Sequence, residues 1–302
     1  MKVLLGLISV LMVTMLVAVV VQQWRYLDIR RNLARDHQAL FHSGSVFHVV
    51  SLLKLAPDQE LLSSVRDFVN TAEKDGAEVV YAGKTVINGR TSSQLPPDDW
   101  EAFVITQYPS RAAWDAASAS VDLRNLESRF TNVYSLGMKR SAGVNLAIPA
   151  LLLGQRVSQL VRREAPRHPF KPVPGLSKAP PEARKRMEAF ADVLRTNLEY
   201  GREALVIFNF AKKGTSDQRK ANATYGGEMF ALFAEAGAGP MHIGEAVTLE
   251  GDADFDQVII VFYPGVEFFG EMITSEFYQG IFPGKQLGDD LSSLTVPLLP
   301  HL

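Results

Sequence analysis

The sequence predicts an α+β protein in which one β-α-β-β-α-β unit is written twice, behind a single apolar helix. Three observations predict it. An uncharged run opens the chain, from Val3 to Val21. Two stretches, WEAFVITQYPS from Trp100 and FDQVIIVFYPG from Phe255, read almost alike. Strand-like and helix-like patterns follow one another in the same order around both stretches, which is typical of an internal repeat.

Composition excludes several classes of function. With 302 residues, 47% hydrophobic and 21% charged, the chain has room for two folded domains. A formal net charge of -2 gives no electrostatic basis for nucleic-acid binding. The chain has no cysteine, and its six histidines show no HxH, HxxxH or HExxH spacing. We therefore expect no metal site, no cofactor and no nucleic-acid partner.

The uncharged run predicts a membrane anchor over residues 1–22. Its 19 residues would extend roughly 28 Å as a helix and so cross a hydrocarbon core of about 30 Å. The run is longer than the apolar region of a signal peptide, and no A-x-A-like cleavage site follows it. A single-pass protein of the bacterial inner membrane, with residues 3–21 in the lipid bilayer, is the favoured prediction, and a cleaved signal peptide is the alternative.

The side of the membrane stays open. Four arginines after the run place the carboxyl side in the cytoplasm, whereas a short Met-Lys amino terminus indicates the opposite. Residues 23–44 carry apolar side chains at helical spacing and predict a stalk helix. Of the two interpretations, a solvated connector is favoured over a stalk helix that continues the span.

The first unit is predicted over residues 45–150. Its elements follow from apolar spacing, Gly and Pro punctuation and the N-cap Ser110. They are a strand Val46–Leu55, a helix Asp58–Lys74 closed by Gly76, a strand Gly76–Asn88, a strand Trp100–Tyr108, a helix after Ser110 and a last strand near Gly143–Ile148.

The second unit, residues 203–302, repeats this order. A strand from Ala204 and a helix Ser216–Ala236 come first. Gly237–Gly251 then matches the second strand at an offset of 161, the Phe255 stretch matches at 155, and Ser293–Leu299 matches Asn145–Leu151 at 148. The offset changes between elements and holds within them, as in a duplicated unit whose loops have changed length. His242 thereby falls on Tyr81.

Residues 151–202 connect the units. They predict a basic amphipathic helix over Leu151–Glu164, a proline-rich linker from Pro166 to Pro181 and a helix over Glu182–Tyr200. Arg156, Arg162 and Arg163 could lay the first of these helices on anionic lipid, but a solvated face is the favoured interpretation.

A β-α-β-β-α-β unit of about 100 residues is the ferredoxin-like arrangement. Residues 45–150 and 203–302 resemble the dimeric α+β-barrel superfamily, which includes antibiotic-biosynthesis-monooxygenase-like proteins and small bacterial domains. The resemblance is carried by Gly83 and Gly244, by Trp100-Glu101 and Phe255-Asp256, and by Tyr108-Pro109 and Tyr263-Pro264. It implies that two sheets close into an intramolecular pseudo-dimeric barrel, each unit leaving a cavity between its sheet and its helices.

The candidate ligand-binding residues lie in the second unit: His242, Asn209, Tyr225, Phe230 and Lys285. His242 has a pKa suited to proton transfer, but strand alternation puts it and Glu245 on opposite faces. Some barrels of the superfamily use a histidine as haem ligand, while a structural histidine is the favoured interpretation here. Phe230 could line a pocket or belong to the core, which is favoured.

Tyr225 precedes two glycines inside a helix, each costing about 1 kcal/mol relative to alanine. Close helix packing or a ligand beside the backbone could explain them. Lys285 lies in the loop Phe282–Asp290, which matches no phosphate-binding motif.

No catalytic signature emerges, so catalytic residues remain unknown. The favoured prediction is a membrane-anchored module that binds a small apolar ligand or a protein partner. The alternative is a cofactor-independent enzyme of the monooxygenase or isomerase type, with His242, Tyr225 and Asn209 around the second cavity and a small apolar substrate. Polar groups converging with His242 on an apolar cavity would favour the enzyme.

Overall fold

The structure, a computed structural model, describes residues 2–37, 42–90, 92–95, 99–120, 126–141, 143–173, 181, 184–185, 187–188, 190, 192 and 200–302. The strands are β1 Phe47–Leu55, β2 Glu78–Arg90, β3 Ala102–Tyr108, β4 Phe130–Lys139, β5 Leu205–Ala211, β6 Gly239–Thr248, β7 Gln257–Tyr263 and β8 Asp290–Pro297. The helices are α1 Lys2–Ile29, α2 Leu61–Lys74, α3 Arg111–Ser118, α4 Val144–Arg162, α5 Ser216–Ala236, α6 Val266–Ile273 and α7 Glu276–Ile281.

The eight strands form one closed antiparallel barrel in the order β1-β3-β2-β8-β5-β7-β6-β4, with β4 pairing back onto β1. The fold is therefore α+β, as the sequence predicts. Strands β1 to β4 are contiguous in the barrel, and so are β5 to β8. The two groups join twice, through β2 with β8 and through β4 with β6. Closure leaves no free sheet edge.

Corresponding positions of the two strand groups make the same contacts. The backbone N–H of Leu55 donates to Oε2 of Glu101, and that of Lys213 donates to Oδ2 of Asp256, both over 2.8 Å. The register of β2 shifts just before Tyr81, and that of β6 shifts just before His242. Tyr81 pairs with Ile105 and His242 with Ile260, so both lie at the same place in their sheets.

Apolar side chains fill the barrel and also its outer surface beneath the helices. Inside, Val50, Phe103, Phe208 and Ile260 belong to one buried cluster, which also holds Trp100 and Phe255 at the equivalent places before β3 and β7. Outside, α2 packs on the first four strands, and α5, α6 and α7 pack on the last four. Strands β1, β3, β5 and β8 thus bury both of their faces, which explains their nearly continuous apolar sequences.

Several helix ends are capped, and two of these caps, Ser110 and Gly76, were predicted from the sequence. The Ser110 hydroxyl accepts from the N–H of Ala113 at the start of α3. Thr215 and Gln218 form a reciprocal capping box at the start of α5, and Gly237 ends that helix with a φ of 70°. Gly76, with a φ of 87°, follows α2. The predicted bounds of α5, Ser216–Ala236, are confirmed.

One strand was predicted in the wrong place. Gly143 caps helix α4, and residues 144–148 form its first turn. The fourth strand of the first group is Phe130–Lys139. Leu, Ala and Leu at 146, 147 and 151 are good helix formers, and the apolar spacing continues at helical period to Leu152. The strand of the first group that corresponds to β8 is therefore β4, since Ser135 pairs with Ser51 as Ser292 pairs with Asn209.

The stalk is not a solvated connector. Helix α1 runs through Ile29 into a π-helical turn, Arg30–Ala34. Tyr26, Arg30 and Ala34 are buried, while Leu33 packs against the apolar interior of the barrel. The backbone N–H of His37 donates to the carbonyl of Val80 over 2.9 Å. The segment closes one end of the barrel, which the amphipathic spacing alone could not indicate.

Part of the predicted connection between the units lies outside the described residues. Helix α4 bears out the first predicted helix, with bounds Val144–Arg162. Pro172 forms an isolated bridge with Ser275, so this part of the linker lies along the second group. Residues 174–180 and most of Glu182–Tyr200 fall outside the described ranges, as do Pro96 and Pro97 in the loop after β2.

Candidate functional site

A cavity of about 840 Å³ lies between the outer face of the last four strands and the helices that cover it. Its floor is formed by alternate residues of β5, β7 and β8, among them Ile207, Ile259 and Leu294. Helix α5 supplies Met229 and Phe230 from above. The volume is that of a site for a small organic molecule.

The residues at one end of this cavity are polar. Oδ1 of Asn209, on β5, accepts from Nζ of Lys285 over 3.4 Å and from Oγ of Ser292 over 3.2 Å. The amide Nδ2 of Asn209 donates to the carbonyl of Ile259 over 3.2 Å, which fixes the orientation of its side chain. Because the floor and roof are apolar, the polar groups can orient a ligand that the apolar part holds.

Strand β2 of the first group borders the same polar end. Nη1 of Arg90 donates to Oδ1 of Asp290 over 2.6 Å. Both residues line the cavity, and Asp290 is only 6% exposed. Within the described part of the chain, Oδ2 of Asp290 has no hydrogen-bond partner. That oxygen is shielded from solvent in this arrangement, so a ligand donor reaches it only if the Arg90–Asp290 pair shifts.

Helix α5 approaches the cavity at the pair of glycines. Tyr225 and Gly226 line it, and Gly227 does not. Among the described residues, a Cβ atom added at either glycine would meet no heavy atom within 4 Å. Within this part of the chain nothing packs closely on the two glycines, and open space lies beside Gly226.

His242 lies elsewhere. It is fully buried at the end of the barrel that the segment after α1 closes. Its Nε2 is 2.7 Å from Oδ2 of Asp36, and its Nδ1 is 3.0 Å from Nη1 of Arg140. Asp36 also accepts from Arg30, over 2.7 Å. His242 therefore does not line the cavity that Asn209 and Tyr225 share.

The neighbours of His242 define its protonation. A guanidinium can only donate, so Nδ1 must accept from Arg140, and Nε2 then carries the proton that it donates to Asp36. Burial lowers the pKa of His242 to about 4, although Asp36 raises it. Burial alone would raise the pKa of Asp36, but Arg30 and His242 hold that pKa far below its usual range. His242 is neutral and Asp36 ionised at pH 7.

Arg140 adds a second buried guanidinium to this end of the barrel. Burial and nearby Arg30 lower the pKa of Arg140 to about 9, which leaves it charged at neutral pH. Nη2 of Arg140 donates to the carbonyl of Met241 over 3.1 Å. Since both ring nitrogens of His242 are engaged, the ring has no lone pair left for a haem iron. The arrangement is that of a structural histidine.

Of the five predicted site residues, Asn209, Tyr225, Phe230 and Lys285 line one cavity, and His242 does not. Sequence reasoning missed Arg90 and Asp290 as cavity residues and Asp36 and Arg140 as partners of His242. Asp290 belongs to the polar loop already singled out, which was a usable signal. No signal links Asp36 to His242, because they are 206 positions apart. Among the described residues, no group of three or more His, Cys, Asp or Glu could hold a metal ion.

Within the described part of the chain, one helix, Gly6–Ala34, is long and apolar enough to cross a membrane. Its mean hydropathy is 2.1, and side chains such as Leu11, Leu16 and Val21 are more than half exposed. A signal sequence meets the same length and composition criteria.

No known family profile matches the chain. No curated protein matches it. An anthrone oxidase-like protein of known structure is 9% identical, with a TM-score of 0.45, over 85% of this chain and 92% of that one. A candidate monooxygenase from Fusobacterium nucleatum is 8% identical, with a TM-score of 0.42, over 84% and 92%. A mutant chlorite dismutase from Candidatus Nitrospira defluvii is 12% identical, with a TM-score of 0.39, over 89% and 96%. Likenesses this distant carry no conclusion about activity.

Proposed function

We propose that this protein is a membrane-anchored module that binds a small, largely apolar molecule in the cavity beneath α5. The observation that carries the proposal is the cavity itself, about 840 Å³ in volume and apolar except for one polar end. In an ordinary protein core, side chains would fill a space of this size, because protein interiors pack nearly as densely as organic crystals. An occupant of matching shape accounts for the space.

The polar end specifies the chemistry of the ligand. The ammonium of Lys285 is a donor beside Asn209, and Oδ2 of Asp290 is a buried acceptor. A ligand with a carbonyl or carboxylate next to a hydroxyl would satisfy both, while its apolar body contacts Ile207, Ile259 and Phe230. The pairing of a buried polar anchor with an apolar body gives orientation as well as affinity.

The barrel arises, in this proposal, from two ferredoxin-like units of one chain that pair as a pseudo-dimer. Support comes from the strand orders β4-β1-β3-β2 and β8-β5-β7-β6, from the repeated register shifts, and from the repeated backbone contacts of Glu101 and Asp256. The pairing Thr85 with Thr295 recurs as Ala246 with Met138 at the other junction. This topology supports placing the chain in the dimeric α+β-barrel superfamily.

Helix α1 is the proposed anchor in the bacterial inner membrane, with residues 3–21 in the bilayer. Its support is the length and hydropathy of the helix and the exposure of its apolar side chains. Its continuation into the barrel end, through Tyr26, Arg30 and Asp36, would hold the barrel at a fixed distance from the bilayer.

A cofactor-independent enzyme remains the second candidate, since Asp290 offers a carboxylate at the polar end of an apolar cavity. His242 cannot serve it as general base, because it lies at the end of the barrel and its neutral ring is committed to Asp36 and Arg140. If the cavity is catalytic, Asp290, Lys285 and Tyr225 are the groups that could contact a substrate.

Native mass spectrometry of the full chain, released from bacterial membranes in a mild detergent, tests the proposal. We expect a bound small molecule on the wild-type protein. Ile259→Trp, which fills the cavity, should lose it, whereas Ala223→Trp on the exposed side of α5 should keep it. Equal occupancy in both variants would refute a ligand in this cavity. A chemically altered molecule after incubation would favour the enzyme.

A further inference from the structure

Helix α4 presents to its surroundings a face that carries no charge. Its most outward positions recur three or four apart and hold Ala147, Leu151, Gly154, Val157 and Val161. Val161 is 77% exposed, and Leu160 beside it is 63% exposed. The solvent face of a surface helix in a water-soluble protein is ordinarily charged or polar. An apolar stripe of this length indicates a surface that is covered in the working protein.

The opposite face of α4 packs against the protein, so the helix is held in place. Ile148 and Leu152 are buried in the same cluster as Tyr26 of α1. Nε2 of Gln159 donates to the carbonyl of Ala231 on α5 over 2.9 Å. These contacts hold α4 in an orientation in which its apolar face points outward. It also lies beside the part of α1 that leaves the apolar run, since α1 and α4 are in contact.

Exposed arginines lie at the end of α4 and on the neighbouring α1 segment, where the exposed acidic residues are Asp28 and Glu164, the latter 4.0 Å from Arg162. Arg162 and Arg163 end α4 and are exposed, and Arg25 and Arg31 are exposed on the neighbouring α1 segment. Such a distribution, with an apolar stripe flanked by arginines next to a membrane span, matches the interface of an anionic bilayer.

We infer that α4 lies in the surface of an anionic lipid bilayer, with Leu151, Val157, Leu160 and Val161 inserted among the acyl chains near the headgroups. This inference rests on α1 being the membrane anchor. It goes beyond the anchor because it gives the protein a second contact with the bilayer. Two contacts fix the orientation of the barrel relative to the membrane. The sequence favoured a solvated face for this helix, and this inference takes the other of the two interpretations.

Spin labels on single cysteines test the inference in the full chain, which has no cysteine of its own. The labelled positions are Val161→Cys and Leu151→Cys on α4, Val13→Cys in the anchor and Ala116→Cys on the exposed side of α3. The protein is placed in phosphatidylcholine vesicles with and without phosphatidylglycerol. Collision rates with oxygen, which concentrates in lipid, and with a water-soluble nickel chelate are then compared for each label.

We expect the oxygen-to-nickel ratio at Val161 and Leu151 to approach that at Val13 and to exceed that at Ala116 severalfold. The ratio at Val161 should fall without phosphatidylglycerol, and also in the double variant R162Q/R163Q. A ratio at Val161 equal to that at Ala116, with Val13 still in lipid, would overturn the inference and leave the anchor intact. A water-exposed Val13 would refute the anchor itself. If the label at Val161 is shielded from both reagents and its spectrum is broadened by a nearby label, a second copy of the chain covers α4. This result would also overturn the inference.

Discussion

Nε2 of His242 donates to Oδ2 of Asp36 over 2.7 Å, and this bond ties the segment after the apolar helix to strand β6. Both side chains are almost completely buried. The same carboxylate accepts from Arg30, so a single aspartate links the segment after helix α1 with the barrel.

Loss of Asp36 should destabilise the protein strongly. Asp36→Ala leaves the buried guanidinium of Arg30 without its carboxylate partner, and breaking a buried pair in this way costs about 3 to 5 kcal/mol. The free energy of unfolding in urea, followed by tryptophan fluorescence in detergent, measures the cost. His37→Ala is the control, because His37 is exposed and its interaction with Val80 is through the backbone. Equal stability of the two variants would contradict the role given to Asp36.

Stability should fall as the pH is lowered from about 6.5 to about 4. In this window the unfolded chain binds a proton at residue 242, whereas folded His242, with a pKa of about 4, does not. The loss is on the order of 3 kcal/mol and is complete below the folded pKa. His242→Gln keeps a donor for Asp36 and removes the titration, so its stability should depend less on pH. An unchanged pH dependence in this variant, matching that of His37→Gln, would contradict a neutral His242.

The two glycines of α5 offer a matched pair. Alanine at either position should stabilise the helix by up to about 1 kcal/mol, because alanine has the higher helix propensity and neither Cβ meets a neighbour. Only Gly226 lines the cavity. Gly226→Ala should therefore lower ligand occupancy in native mass spectra, and Gly227→Ala should leave it unchanged. The same occupancy in both would show that the ligand does not approach this part of the backbone.

Lys285 should contribute to binding through its charge. Lys285→Met retains an apolar stem of similar length and removes the ammonium beside Asn209, which should weaken binding about tenfold or more, since hydrogen bonds to charged groups contribute about 1.5 to 3 kcal/mol. Competition between labelled and unlabelled ligand measures the change. Lys213→Met, a lysine outside the cavity lining, is the control and should bind as the wild type does.

Much of the fold is readable in the sequence because each strand group repeats the pattern of the other. The third strands after Trp100 and Phe255 and the bounds of α5 follow from local sequence pattern. The fourth strand was missed because Phe130–Lys139 mixes exposed and buried positions. The apolar run near Ile148 resembled the sequence of β8 more closely. The assignment followed similarity of composition, whereas the register of the strand pairs identifies β4 as the equivalent of β8.

The site was predictable only in part. Asn209, Tyr225 and Phe230 were singled out on elements whose faces follow from periodicity, and they do meet at one cavity. The surroundings of His242 depend on Asp36 and Arg140, which come from the segment after α1 and from just after β4. A contact between such distant segments is fixed by barrel closure, and local spacing contains no information about it.

The most direct test of the ligand proposal is an experimental structure of the full chain, determined with the molecule that co-purifies with it. We expect that molecule beneath α5, its apolar body against Ile207 and Ile259 and its polar end within hydrogen-bonding distance of Lys285 or Asp290. A co-purifying molecule bound outside this cavity, or a cavity closed by its own side chains, would contradict the proposed function.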